Sequence, residues 1–302
     1  MNLTRRGLAG VAAILACAPV LAQGAVTPLI RFPSGTFLEN LVVLPDGRVL
    51  FTSYFARRVE MWGPGGHTTF AETPFHPVSL GLLPDGRIAL TGHGVPFLQG
   101  PAALRGTNAL ALLSPEGRVV ARHAVPDAVF LNGTLVRPSG EMLVVDSALG
   151  RVWALGADGA ARVWLDHAAL APSEARPGIP GANGIKAAGG DLLLSNSASG
   201  MLLRLAAGSP TAEPRGVARF PGIDDFAVLP DGTVWAATHG SALARLRPGA
   251  SEPEAFAVPG LEGNTAVLPV PGAAALYVLG TGGLAEGGRG EAMLARFDLP
   301  PG

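Results

Sequence analysis

Five residues with oxygen-bearing side chains recur at nearly one distance from a glycine turn. Glu39 lies eight residues before Gly47, Asn132 eight before Gly140, Asp224 eight before Gly232 and Asn264 eight before Gly272. Asn183 lies seven before Gly190, where the turn is shorter. Each of them leads into an apolar run. If these positions meet in space, they make a ring of two carboxylates and neutral amide carbonyls. Such donors suit a hard divalent cation, and flexible coordination by about six to eight oxygens favours Ca²⁺. Zinc is disfavoured, because its usual ligands are His nitrogen and Cys sulfur. One copy breaks the pattern with Val78, beside Ser79. Singly, the residues have plainer readings. Asn132-Gly133 and Asn183-Gly184 would be Asn-Gly turns, Asp224-Asp225 a solvated acidic pair, and Glu39 a surface residue. The register shared by separate copies favours the ring of Glu39, Asn132, Asn183 and Asp224, with Asn264 as a further channel position.

The positions are set by a repeat, which is sought before other signals. An apolar run, a Pro-x-Gly turn and a second apolar run recur at Pro45-Asp46-Gly47, Pro84-Asp85-Gly86, Pro138-Ser139-Gly140 and Pro230-Asp231-Gly232. Gly189-Gly190 and Pro271-Gly272 are variants of the same turn. Asp-Gly between short β-prone runs is a strong hairpin signal. The turn glycines follow one another at 39, 54, 50, 42 and 40 residues. Third strands fit at Arg58–Trp62, Ala109–Leu113, Val152–Leu155, Leu202–Leu205 and Leu243–Leu246, and fourth strands at Val119–His123 and Ala161–Trp164. A four-stranded unit of about 40–50 residues is the period of a propeller blade. The expected fold is an all-β, six-bladed β-propeller over residues 26–299, a single domain. Val26–Phe32 precedes the first hairpin and should pair as the outer strand of the last blade, removing an open edge. A β-sandwich of similar composition would not repeat one register six times.

In a propeller the first strand of each blade lines the channel, and its hairpin partner returns to the same mouth. His93, Asp146, Asn196 and His239 end return strands and should surround that mouth. Asp146 is expected to orient an asparagine ligand. His239 reads as a base or substrate contact, since His titrates near neutrality, or else as a hydrogen-bonded loop residue. Gly94–Asn108 is the longest interruption of the repeat and reads as a lid carrying Phe97 and Leu98.

Composition sets outer bounds. The 302 residues carry 22 Lys+Arg against 23 Asp+Glu, with no basic stripe, which argues against nucleic acid as a partner. The 42 Gly and 27 Pro accompany 48% hydrophobic residues, a folded chain rich in turns. A lone cysteine, Cys17, excludes a disulfide framework. Residues 1–22 read as an export signal: Arg5-Arg6, the apolar run Leu8–Ala18, then Val20-Leu21-Ala22 as cleavage site. The run is short for a transmembrane span. Thr4-Arg5-Arg6-Gly7-Leu8 is similar to a twin-arginine signal, and Ile14–Cys17 more faintly to a lipoprotein box. Loss of this segment removes two Arg and no acid, moving the net charge from −1 to −3. The mature protein is expected in the periplasm or secreted.

Glu39-Asn40-Leu41, Phe130-Leu131-Asn132-Gly133, Gly181-Ala182-Asn183-Gly184-Ile185 and Ile223-Asp224-Asp225-Phe226 together resemble the SMP-30/gluconolactonase/LRE-like family of six-bladed propellers. The chain is similar more distantly to diisopropyl-fluorophosphatase-type and paraoxonase-type enzymes. The resemblance implies Ca²⁺ held by Glu39, Asn132, Asn183 and Asp224, and hydrolysis of a small-molecule lactone or ester. The ion would polarise the carbonyl, and Asp224 would activate water as general base or act as nucleophile, with His239 a reserve base. The doublet Asp224-Asp225 departs from the usual Asp-Gly, so either Asp225 shares the ion or the register is displaced by one. No Gly-x-Ser-x-Gly elbow, His-Glu-x-x-His or Walker sequence competes. Two other readings stay open: a non-catalytic propeller whose calcium is structural and which binds a ligand or partner, and a strictosidine-synthase-like propeller that needs no metal.

Overall fold

The computed structural model describes residues 22–206, 209, 211–284 and 287–300. The export-signal reading, with Arg5, Arg6 and Cys17, lies outside the described residues apart from Ala22. Two N-terminal strands come first, β1 (Ala22–Gln23) and β2 (Ala25–Phe32). Blade one follows as β3 (Leu38–Val43), β4 (Val49–Ser53), β5 (Arg58–Gly63) and β6 (Gly66–Glu72). Blade two is β7 (His76–Leu82), β8 (Ile88–His93), β9 (Asn108–Leu113) and β10 (Val119–Ala124). Blade three is β11 (Leu131–Val136), β12 (Met142–Asp146), β13 (Arg151–Leu155) and β14 (Ala161–Asp166). Blade four is β15 (Ala182–Ala188), β16 (Asp191–Asn196), β17 (Met201–Ala206) and β18 (Arg215–Arg219). Blade five is β19 (Phe226–Val228), β20 (Val234–Ala237), β21 (Ala242–Leu246) and β22 (Glu254–Ala257). Blade six is β23 (Asn264–Pro269), β24 (Ala275–Gly280) and β25 (Ala292–Asp298). Helix is nearly absent among the described residues; α1 is one turn, Pro101–Leu104.

The ring closes as the repeat requires. β2 pairs antiparallel with β25 and becomes the outer strand of blade six. A feature outside the repeat is β1, which adds to blade five in parallel, Ala22 opposite Phe256 and Gln23 opposite Ala257. Fourth strands β6, β18 and β22 also exceed the sequence reading. Their faces are half exposed and less regularly apolar, which weakens the periodic signal.

Middle strands are buried on both faces, so they read as continuous apolar runs. Leu110, Ala111, Leu112 and Leu113 are each at most 1% exposed. Six apolar clusters fill the six gaps between neighbouring blades. Leu143, Val145 and Trp164 meet Ile185, Leu194 and Leu203 between blades three and four. Val267, Met293 and Phe297 meet Trp235, Leu243 and Phe256 between blades five and six. The remaining gaps are filled in the same way.

The Pro-Asp-Gly turns are three-residue loops. Gly47 N donates to Leu44 O at 2.9 Å, Leu44 N donates to Arg48 O at 2.8 Å, and Gly47 alone takes a positive φ, +84°. Pro supplies the fixed φ that opens a type I turn, and glycine the left-handed residue that ends it. In blade four the left-handed residue is Gly189, not Gly190.

Neighbouring first strands touch all the way round the axis. Side-chain hydroxyls tie them. Thr52 Oγ1 donates to Val78 O, Ser79 Oγ to Asn132 O, Ser147 Oγ to Ala182 O, Ser195 Oγ to Asp224 O and Thr265 Oγ1 to Leu38 O. Between blades five and six the link is backbone, Asp225 N to Thr265 O at 3.2 Å.

Leu143 is fully buried between blades three and four, whereas Val163 on outer strand β14 is 44% exposed. Leu143→Ala should therefore cost about 2–5 kcal/mol in urea unfolding. Val163→Ala should stay within about 0.5 kcal/mol of wild type. Equal effects would contradict the inter-blade core.

Candidate channel site

The first strands are distorted where the singled-out residues sit. Leu38 pairs with Ser53 and Leu41 with Phe51, so one extra residue enters at Glu39-Asn40. The same bulge holds Asn132-Gly133 between Leu131 and Thr134, and Asn183-Gly184 between Ala182 and Ile185. Bulges re-aim side chains and are frequent beside active sites. Asn132-Gly133 and Asn183-Gly184 are therefore strand bulges rather than turns. Their glycines answer close approach. A Cβ on Gly133 would press into Asn183 O, and one on Gly184 into the Asp225 carboxylate.

Asp224 and Asn183 touch: Asn183 Nδ2 donates to Asp224 Oδ1. Asp224 Oδ2 lies 2.7 Å from His239 Nε2. Asn132 Nδ2 donates to Ser147 Oγ at 3.1 Å, and Asn183 Nδ2 to Ser197 Oγ at 3.1 Å. Both amide nitrogens are thus directed by a hydroxyl on their own blade. Glu39 Oε2 is buried with no hydrogen-bond partner. Burial pushes the Glu39 carboxyl well above the usual carboxylate range, and the charges of Asp224 and Asp225 add to this while His239 opposes it. Asp224 is also raised, by burial first, against the pull of His239. Among the described residues no three His, Cys, Asp or Glu side chains form a metal-type group; the candidate ring contains two acids and two amides.

Asp225 is differently placed. It pairs with Lys186 Nζ at 2.6 and 2.9 Å and accepts from Asn40 Nδ2 at 3.2 Å. Asn40 Oδ1 in turn accepts from Leu80 N. Blades one, two, four and five are thereby bridged across the channel. The structure thus separates the doublet: Asp224 faces Asn183 and His239, and Asp225 is neutralised by Lys186. Sequence reasoning missed Lys186 and Asn40. One signal was available, because Lys186 is the only lysine in the chain.

Asn264, expected at the channel, is fully committed elsewhere. Its Oδ1 accepts from Thr238 N at 2.6 Å, and its Nδ2 donates to Gly240 O at 2.7 Å and Leu261 O at 3.2 Å. Its own carbonyl accepts from His239 N at 3.0 Å. Asn264 therefore fixes the loop that carries His239. That histidine takes a left-handed φ of +58°, a costly conformation for a non-glycine residue that persists where surroundings enforce it. Asp146 does not touch Asn132. Its carboxylate accepts from the backbone of Val129, Phe130, Ala148 and Leu149 and from Trp153 Nε1. It holds the segment leading into Asn132. Asn196 likewise donates to Ala169 O and Ala171 O and accepts from Ser199 N. Asp146 and Asn196 are loop anchors because each is buried where backbone groups need partners.

His93 is fully buried and its Nδ1 faces Tyr54 Oη at 2.9 Å and Val95 O at 3.2 Å. Burial lowers its pKa to about 4. The Gly94–Asn108 segment is anchored beside it, with Phe97 N donating to Tyr54 Oη at 2.8 Å. A cleft of about 730 Å³, lined by Arg87, Glu141 and Arg162 among others, lies between hairpin turns of blades two and three. It is at the opposite end of the first strands from Glu39 and Asn132.

No protein-family model matches the chain, and no curated protein matches it in sequence. Solved structures match in fold. A luciferin-regenerating enzyme superposes with a TM-score of 0.69 at 14% identity, covering 91% of this chain and 95% of its own. A gluconolactonase from Xanthomonas campestris gives 0.68 at 16% identity, covering 95% and 93%. A PQQ-bound aldose sugar dehydrogenase from Streptomyces coelicolor gives 0.61 at 18% identity, covering 91% and 98%. No helix among the described residues is long and apolar enough to cross a membrane. What the chain shares with these enzymes is the propeller fold.

Two outcomes follow from the geometry. Lys186→Met leaves the Asp225 charge buried and uncompensated, and should destabilise by about 3–5 kcal/mol; adding Asp225→Asn should restore most of it. Full stability of the single variant would contradict the cross-channel bridge. His93 is held neutral, with its pKa near 4 against 6.5 when unfolded. Its contribution is complete above pH 6.5 and is lost as pH falls toward 4, by up to about 3 kcal/mol. His93→Phe should flatten the stability profile across that window; an unchanged slope would contradict this.

Proposed function

We propose that this chain is a Ca²⁺-dependent hydrolase of lactones or related esters, acting at the axial ring. The observation that carries this reading is Glu39 Oε2, buried and unbonded, within reach of the charge of a second buried carboxylate, Asp224. Two carboxylates in a low-dielectric space repel, and a divalent cation turns that repulsion into attraction. The donor set fits such an ion, since hydroxyl contacts engage the amide nitrogens of Asn132 and Asn183 and leave their carbonyl oxygens as donors to a cation. Glu39, Asn132, Asn183 and Asp224 would hold it. When bound, Ca²⁺ would polarise the substrate carbonyl and steady the oxyanion.

The chain's own residues would move the proton. Asp224 is 1% exposed and His239 28%, so the acid sits inside with the imidazole Nε2 turned to it. The paired acid and imidazole can accept a proton as water oxygen adds to the carbonyl carbon. The bond from that carbon to the leaving oxygen then breaks, and the proton passes to that oxygen. A lactone leaves as a hydroxy acid, with one water consumed. A gluconolactonase among the fold neighbours supports this chemistry. The sugar dehydrogenase neighbour shows why fold alone is insufficient. An export signal at residues 1–22 would put the reaction in the periplasm or outside the cell.

Purified protein assayed on simple lactones should lose activity on chelation and regain it with Ca²⁺. Glu39→Gln and Asp224→Asn should each lower kcat/KM by roughly 100-fold or more. His239→Gln should lower kcat by about 10²–10⁴-fold while Ca²⁺ binding persists. Activity that survives complete chelation would overturn the reading.

A further inference from the structure

The side of the mouth formed by blades one to three is walled by aromatic rings. Phe37 stands two residues before Glu39, and Phe130 two before Asn132. Phe97, on the segment inserted into blade two, packs against both. Its ring centroid is 5.3 Å from Phe37, 5.0 Å from Tyr54 and 5.7 Å from Phe55. It is stacked at 14° and 6.4 Å with Phe130. Phe55, Phe97 and Phe130 are each only partly buried, and Leu98 beside them is 74% exposed. Partly exposed rings grouped around an exposed leucine offer apolar surface to a ligand at this mouth.

The polar handle of this wall faces inward. Tyr54 Oη accepts from Phe97 N and contacts His93 Nδ1, so it is committed to the protein. A polyhydroxylated substrate would bring hydroxyls against aromatic rings whose one hydroxyl is already engaged, and groups seated on the rings lose their water without return. An alkyl or aryl group loses nothing and removes apolar area from water on both sides.

We propose that the substrate is a lactone or ester bearing an apolar alkyl or aryl substituent, seated against Phe97, Phe55 and Phe130, rather than a sugar lactone. The substrate class rests on the hydrolase reading above; the preference for an apolar substituent rests on the wall alone. Three δ-lactones with one reacting ring separate the two: δ-valerolactone without a substituent, δ-decalactone with an alkyl chain, and glucono-δ-lactone with hydroxyls. With Ca²⁺-loaded mature protein, kcat/KM should be about tenfold or more higher for δ-decalactone than for the other two. Phe97→Ala and Phe130→Ala should each reduce the decalactone-to-valerolactone ratio severalfold, while Phe97→Leu retains most of it. Thermal unfolding of each variant establishes that it is folded. Preference for glucono-δ-lactone, or a ratio unmoved by both alanine variants, would overturn the inference. If no lactone is turned over, the hydrolase reading fails. Binding of the same three compounds by saturation-transfer NMR then decides the substituent preference: tighter δ-decalactone binding that Phe97→Ala abolishes supports it, and equal binding refutes it.

Discussion

Glu39 and Asp224, two acids desolvated at the channel with no hydrogen-bond partner for Glu39 Oε2, are the constraint around which the channel is arranged. Desolvation alone disfavours ionised Glu39 and Asp224, and the Asp224 charge disfavours that of Glu39 further. The ring of blades prevents their separation, because their strands are locked to neighbours by hydroxyl links and by six apolar clusters. Asn183 and His239 relieve Asp224 in part, but Glu39 Oε2 has no hydrogen-bond partner. The neighbouring acid makes the contrast clear. Asp225 occupies the same narrow space and is fully served by Lys186 and Asn40. The chain therefore carries a lysine for one axial acid, an imidazole for the second and no hydrogen-bond partner for Glu39 Oε2. Buried charge without a partner is costly, and its retention here is what a site for an external cation would require.

The rest of the architecture holds that arrangement rigid. Bulges turn Glu39, Asn132 and Asn183 out of the regular alternation, and glycines behind two of them let the strands close up. Behind these, a layer of buried anchors ties loops to strands: Asp146 beneath Asn132, Asn264 beneath His239. The left-handed backbone of His239 belongs to the same layer. Positioning of this kind matters because misplacement of reacting groups by about 1 Å can cost about 100-fold in rate.

Much of this was legible in the residues. Turn glycines at steps of 39 to 54 residues mark the six hairpins, because the left-handed position, held by Gly189 in blade four, tolerates little else. The count back from the turn glycines reaches equivalent bulged positions at Glu39, Asn132 and Asn183, and a position at Asp224 that touches Asn183. The same count misplaced Asn264, whose side chain turns to the backbone of its own loop instead of the axis. Register identifies equivalent backbone positions, but not which way a bulged side chain points. Asp146 and Asn196 read as mouth residues because they end return strands, whereas their side chains satisfy loop N–H and C=O groups. Contacts between blades far apart in sequence, such as Asn40 with Asp225 across 185 residues, leave no periodic trace. The added parallel strand β1 is two residues long and equally invisible to pattern.

The most direct measurement is the metal content of the purified protein and the position of any ion in the channel, by elemental analysis and anomalous scattering from a crystal. The expected result is about one divalent ion per chain, bounded by the side-chain oxygens of Glu39, Asn132, Asn183 and Asp224, and absent from a Glu39→Gln, Asp224→Asn double variant. A channel that binds no divalent ion at millimolar Ca²⁺, or an ion elsewhere that the double variant still binds, would contradict it.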